Sequence, residues 1–101
     1  MSYRDLGFCQ EDEVAQFVSE ERSALGGSIP VNPSGGINSR GHPVGATGVA
    51  QIAELALQLR ADAGGRQVKN SRVGLALNAG SWSGHDPAVC LVHVLESERP
   101  A

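Results

Sequence analysis

Apolar residues recur at three- and four-residue steps between residues 44 and 63, which is the spacing of one face of an α-helix. Pro43 has the fixed φ that suits the first position of a helix, and the pair Gly64-Gly65 is typical of a helix end. The pattern therefore predicts one long helix over residues 44–63. Its apolar stripe consists of Val44, Gly48, Ile52, Leu55, Ala56 and Leu59.

Two later segments have the patterns of β-strands. In residues 71–78, Val73, Leu75 and Leu77 alternate with other residues, which predicts a strand with these three side chains on one face. Residues 87–96 are nearly all apolar, as expected of a strand that is buried on both sides. The connection between the two segments is long for a simple hairpin. A helix followed by two strands predicts the end of a layered α/β domain.

The N-terminal part of the chain has weaker patterns. Residues 1–28 are polar and charged, with Val14, Phe17 and Val18 spaced for one helix face, so we predict a helical or irregular lead-in. Residues 29–43 are rich in Gly and Pro, which favours a loop and leaves room for at most a short strand at Ile29–Val31.

Composition narrows the classes of function. With 101 residues and 4% aromatics, the chain can build only a thin core, so we expect it to depend on a partner chain or a preceding domain. A net charge of -3 with scattered Lys and Arg disfavours nucleic acid or a membrane as partner. No apolar run has membrane-spanning or signal-peptide length, so a cytoplasmic location is expected.

The two cysteines suggest no special chemistry. Cys9 and Cys90 lie far apart in sequence, which predicts neither a disulfide framework nor a zinc or other metal site. Cys90 falls within the most apolar segment, where a buried structural thiol is favoured.

His42 is the best candidate for a catalytic residue, because it stands immediately before the predicted helix start. Gly41 and Gly45 on either side allow a ligand to approach closely. The residues alone leave two interpretations open, a helix-capping structural histidine and a catalytic one. His85 beside Asp86 is more simply a solvated loop residue, and His93 more simply a structural strand residue.

Two motifs and two flanking segments of the chain resemble one known protein family. The segments 32–36 (Asn-Pro-Ser-Gly-Gly) and 41–48 (Gly-His-Pro-Val-Gly-Ala-Thr-Gly) resemble the Gly-His-Pro signature of thiolases and its approach loop. Residues 5–9 and 58–68 resemble the lipid-transfer-protein, or sterol-carrier-protein, branch. The resemblance implies an α/β fold, namely the C-terminal segment of a thiolase-fold domain. It would comprise an active-site loop, one long helix and two closing strands, and be incomplete alone.

The same resemblance implies an activity. Thiolases break down or build 3-oxoacyl-CoA through an acyl-cysteine intermediate, with a coenzyme A thioester as substrate and no bound cofactor. The catalytic role of the Gly-His-Pro histidine falls on His42. Asn32, Ser34, Gly35 and Gly41 would shape the substrate-binding loop around it.

The sequence departs from the thiolase pattern in the late motif of the family. The late Cys-x-Gly motif, or its His/Gln-Asn-x-Gly variant, is here Leu77-Asn78-Ala79-Gly80, and leucine cannot transfer a proton. The Asn78 side chain and the Gly80 amide can still donate hydrogen bonds to an oxyanion.

The nucleophilic cysteine of thiolases lies in an N-terminal domain with no counterpart here. The expected partner is therefore a cysteine-bearing thiolase half or domain, in an oligomer. The chain would be a fragment, a truncated gene product or one polypeptide of a split enzyme. The alternatives are a non-catalytic thiolase-like subunit or scaffold, and a thiolase-like aldolase acting on side chains of sterol-CoA thioesters.

Overall fold

A computed structural model describes residues 2–98 as a mixture of short helices and one antiparallel hairpin, which confirms the predicted α/β class. Two 3₁₀ turns, Glu11–Glu13 and Gly64–Arg66, accompany these elements. The helices and strands are α1 (Ser2–Asp5), α2 (Val14–Ser19), α3 (Gly36–Arg40), α4 (Thr47–Leu59), β1 (Val73–Ser83) and β2 (Asp86–Glu96). Among the described residues, no helix is both long and apolar enough to cross a membrane.

The two strands form a tight hairpin. Their antiparallel register runs from Val73 opposite Glu96 to Ser83 opposite Asp86, so only Gly84 and His85 form the turn. Gly84 has a φ of 66°, as the first central residue of a type II′ turn requires. The predicted long connection is therefore wrong, because residues 79–83 continue β1 instead of forming a loop.

Helix α4 packs on the face of β1 that carries small side chains. A Cβ on Gly74 would lie 2.7 Å from Leu55 Cδ2, so the glycine makes room for this leucine. Ala76, on the same face, is buried. The predicted alternation of Val73, Leu75 and Leu77 is present, but their face of the strand points away from α4. The small residues of β1 thus decide where the helix lies.

Strand β2 is far more exposed than its composition predicts. Val89, Leu91, Val92 and Val94 are each at least half exposed, because α4 lies mainly over β1. Cys90 is also exposed, so the predicted buried thiol is wrong for this chain. Together with Val73 and Leu75, these side chains give the hairpin an extensive exposed apolar surface.

Helix α4 is shorter at both ends than the predicted 44–63. It begins at Thr47, after a turn in which the Pro43 carbonyl accepts the N–H groups of Ala46 and Thr47. It ends at Leu59, followed by a Schellman motif. There Asp62 N–H donates to Leu57 O over 2.8 Å, and Ala61 N–H donates to Gln58 O over 3.1 Å.

The motif that ends α4 uses an alanine in place of the expected glycine. Ala61 has a φ of 62°, an unfavourable value for a residue with a Cβ. Gln58 stabilises this end, since its side chain accepts the Val68 N–H and donates to Arg66 O, each over 2.8 Å. Arg66 in turn pairs with Glu54, which lowers the pKa of that carboxyl group. Hydrogen bonds to the following loop therefore end the helix before Gly64.

In the structure the lead-in comprises residues 2–31, beyond its predicted end at residue 28, because Ile29 and Val31 bond back to it. It is organised around Phe17. This ring is buried, with the Tyr3 ring edge-on at 5.4 Å and the Arg22 guanidinium 4.9 Å above it. The possible strand at Ile29–Val31 does not form. Instead, the N–H groups of these two residues donate to the carbonyls of Arg22 and Ser23.

Candidate active site

The segment that leads to His42 begins with a turn that depends on glycine. Gly35 N–H donates to Asn32 O over 2.8 Å, and Gly35 and Gly36 have φ values of 91° and 66°. A Cβ on Gly35 would lie 2.5 Å from Ser39 Cβ. Gly36 is buried, and a Cβ there would lie 3.1 Å from the Asn32 amide. A larger residue at 35 would therefore displace the short helix that follows, and one at 36 would press on the Asn32 side chain.

This short helix, α3, lies inside the segment predicted to be loop. It ends at Arg40 and is capped by Gly41, whose N–H donates to Ile37 O over 2.7 Å and whose φ is 82°. That conformation turns the chain sharply, directly before His42. Of the predicted substrate-binding residues, Asn32 and Gly35 form the entry turn, Ser34 is half-buried within it, and Gly41 forms the exit.

His42 is held by Thr47. The Nδ1 atom of the imidazole lies 2.7 Å from Thr47 Oγ1, and this hydroxyl lies 3.2 Å from Pro43 O. Thr47 is buried, whereas His42 is exposed. The arrangement fixes one edge of the imidazole to the start of α4 and leaves the ring reachable from outside.

Asn78 lies close to the same helix start. It projects from β1 towards α4, and a Cβ on Gly48 would lie 3.0 Å from Asn78 Nδ2. Gly48 directly follows Thr47, so the structure places Asn78 and the anchor of His42 at the same end of α4. Gly80 follows two residues later in β1 and is exposed.

Sequence reasoning missed Thr47 and Gln51. Thr47 stands four residues after Pro43, which is the spacing at which a threonine in a helix donates to a backbone carbonyl. This spacing could have identified Thr47 from the sequence. Gln51 Nε2 donates to Leu77 O over 2.9 Å and so ties α4 to β1 beside Asn78. Only the tertiary structure reveals that second contact.

The other two histidines lie in the hairpin. His85 is an exposed residue of the hairpin turn, and His93 is an exposed residue of β2 opposite Ala76. Across residues 2–98 no three His, Cys, Asp or Glu residues are grouped to hold a metal ion. Two shallow clefts, of about 440 and 530 Å³, are lined by residues 20–28 and by the ends of α4 and β2, with no predicted site residue among them.

Comparison with known proteins gives consistent matches. The family described as thiolase C-terminal domain-like matches residues 1–93. An acetyl-CoA acetyltransferase of Methanothermobacter thermautotrophicus is 45% identical over 84 residues, covering 83% of this chain and 22% of that protein. Human sterol carrier protein 2 is 49% identical over 80 residues, covering 79% of this chain and 15% of that protein.

A second acetyl-CoA acetyltransferase, from Methanocaldococcus jannaschii, is 36% identical over 103 residues, covering 94% of this chain and 24% of that protein. The chain thus spans less than a quarter of the length of each of these three relatives.

Proposed function

Because the chain belongs to the thiolase C-terminal domain family, we propose that it supplies the histidine part of an acyl-CoA acyltransferase site. The observation that carries the proposal is the exposed imidazole of His42, anchored through Nδ1 at the start of α4. The acetyl-CoA acetyltransferases among its relatives support a 3-oxoacyl-CoA thioester as substrate, in thiolysis or condensation. The nucleophilic cysteine would come from a partner half or from an N-terminal domain.

Each predicted residue has a role in this proposal. His42 takes the proton of the cysteine thiol and then donates a hydrogen bond to the thioester oxygen. Asn78 and the Gly80 amide offer further donors for an oxyanion. Asn32, Ser34, Gly35 and Gly41 hold the approach loop in the shape that the substrate contacts. No bound cofactor takes part in this chemistry.

The 101-residue chain alone is expected to show no thiolysis of acetoacetyl-CoA above background, because its proposed chemistry needs a cysteine from outside. Activity should appear when the chain is mixed with the M. thermautotrophicus relative from which the matching C-terminal segment has been deleted. The measurement is the rate of thiolysis, monitored as the decrease in acetoacetyl-CoA absorbance.

Turnover by the isolated chain that is abolished by alkylating Cys9 or Cys90 would contradict the proposal. A stable complex in which the cysteine is never acylated would instead favour the non-catalytic subunit.

The isolated chain is also expected to self-associate. The exposed apolar side chains of the hairpin, including Val94 at 64% exposure, favour burial against another surface. Sedimentation velocity over a range of concentrations should show species larger than 10.5 kDa. A strict monomer with a sharp, reversible melt would rule this out.

A further inference from the structure

The Thr47 hydroxyl has two hydrogen-bond neighbours and one proton. Oγ1 lies 2.7 Å from His42 Nδ1 and 3.2 Å from Pro43 O. A hydroxyl can donate to only one of these atoms, so the choice determines what Nδ1 must do. If the proton goes to Pro43 O, Oγ1 offers only lone pairs to the ring, and Nδ1 must carry the hydrogen.

Helical geometry favours donation to the carbonyl. Thr47 follows Pro43 by four residues, and threonine hydroxyls in helices habitually donate to the carbonyl four residues earlier. Pro43 O also accepts the N–H groups of Ala46 and Thr47, at 2.8 and 3.0 Å. The hydroxyl contact, at 3.2 Å, is the longest of the three.

We propose that Thr47 is a positioning residue that holds neutral His42 in the tautomer with hydrogen on Nδ1, leaving Nε2 bare to accept the thiol proton. This inference rests on the function proposed above. The proton leaves the partner cysteine for Nε2, and its bonding electron pair stays on sulfur as the thiolate. The resulting imidazolium keeps its Nδ1–H bond to Thr47, so the hydroxyl need not rotate during the step.

The opposite arrangement has a different consequence. If Thr47 donated to Nδ1, neutral His42 would carry its hydrogen on Nε2, and that atom could not accept a proton. Thr47 would then hold His42 in the form in which Nε2 donates a hydrogen bond and does not act as a base. The two arrangements are distinguished by which ring nitrogen bears hydrogen.

Nitrogen-15 NMR of the imidazole tests the tautomer directly. The sample is the full chain labelled with ¹⁵N-histidine, with His85→Gln and His93→Gln so that only His42 reports, at about pH 8.5 where an ordinary imidazole is neutral. We expect a protonated Nδ1 and a bare Nε2. Thr47→Val should lose this preference, and Thr47→Ser should keep it. A protonated Nε2 in the chain with Thr47, or an unchanged spectrum in Thr47→Val, would overturn the inference.

Kinetics in the reconstituted complex supply the second measurement. Thr47→Val should slow single-turnover acylation by on the order of tenfold to a hundredfold, because the base is no longer held in its reactive form. The substrate concentration giving half-maximal rate should change little, and Thr47→Ser should restore the rate.

The two proposals fail in different ways. Normal acylation by Thr47→Val, or a loss that Thr47→Ser shares, would count against the positioning role. If the partner cysteine is acylated normally in the complex with His42→Ala, the proposed function is wrong, whichever tautomer the NMR shows. Should Thr47→Val fail to fold, the spectrum of the chain with Thr47 and the behaviour of Thr47→Ser still decide the inference.

Discussion

Replacing His42 by alanine should reduce acyl transfer in the reconstituted complex by roughly two to four orders of magnitude, the usual effect of losing a general base or an oxyanion donor. Folding should barely change, because the ring is exposed and the contacts of α4 with β1 do not depend on it. The measurements are single-turnover acylation of the partner cysteine and a thermal melt of each variant.

The two remaining histidines provide matched controls. His85→Ala and His93→Ala remove imidazoles that are also exposed and should leave acylation nearly unchanged. Normal acylation by His42→Ala together with its loss in His85→Ala would place the site in the hairpin turn instead. If His42→Ala unfolds the protein, the histidine is a structural cap.

Replacing Phe17 by alanine should unfold the lead-in, residues 2–31. The ring is only 1% exposed and contacts Tyr3 and Arg22, so its loss leaves the segment without its centre. Truncating a buried phenylalanine costs about 3–5 kcal/mol, a large share of the stability of a small domain. Amide hydrogen exchange should show lost protection in residues 2–31, with α4 and the hairpin less affected.

Val18→Ala is the control for this change. Val18 is the neighbouring apolar residue of α2 but is 50% exposed, so its truncation should alter stability by less than about 0.5 kcal/mol. Equal loss of protection in the two variants would show that Phe17 is not the centre of the lead-in.

Sequence patterns predicted the elements well where one physical signal dominated. The three- and four-residue apolar spacing located the centre of α4, and alternation identified β1 and its two faces. Gly41 and His42 stood out because a glycine, a histidine and a proline follow one another, although the helix itself begins only at Thr47. The resemblance to thiolases, carried by the same residues, agrees with the family match over residues 1–93.

The sequence by itself thus determined the family and the class of fold, and it predicted His42 as the leading site residue, since these follow from local spacing and from a short motif. Tertiary structure alone decided three other features. Contacts of Gln58 with the following loop end α4 at Leu59, before the glycines that signal a stop. Pairing with β2 draws residues 79–83 into β1, although their composition is that of a loop.

The third feature is the placement of Asn78 beside Gly48. It depends on which face of β1 receives the helix, and this follows from the space at Gly74 that accepts Leu55. Such long-range fits between side chains leave no periodic trace along the chain. Local patterns therefore predicted His42. Only packing could bring Asn78 close to the start of α4, where Thr47 holds His42.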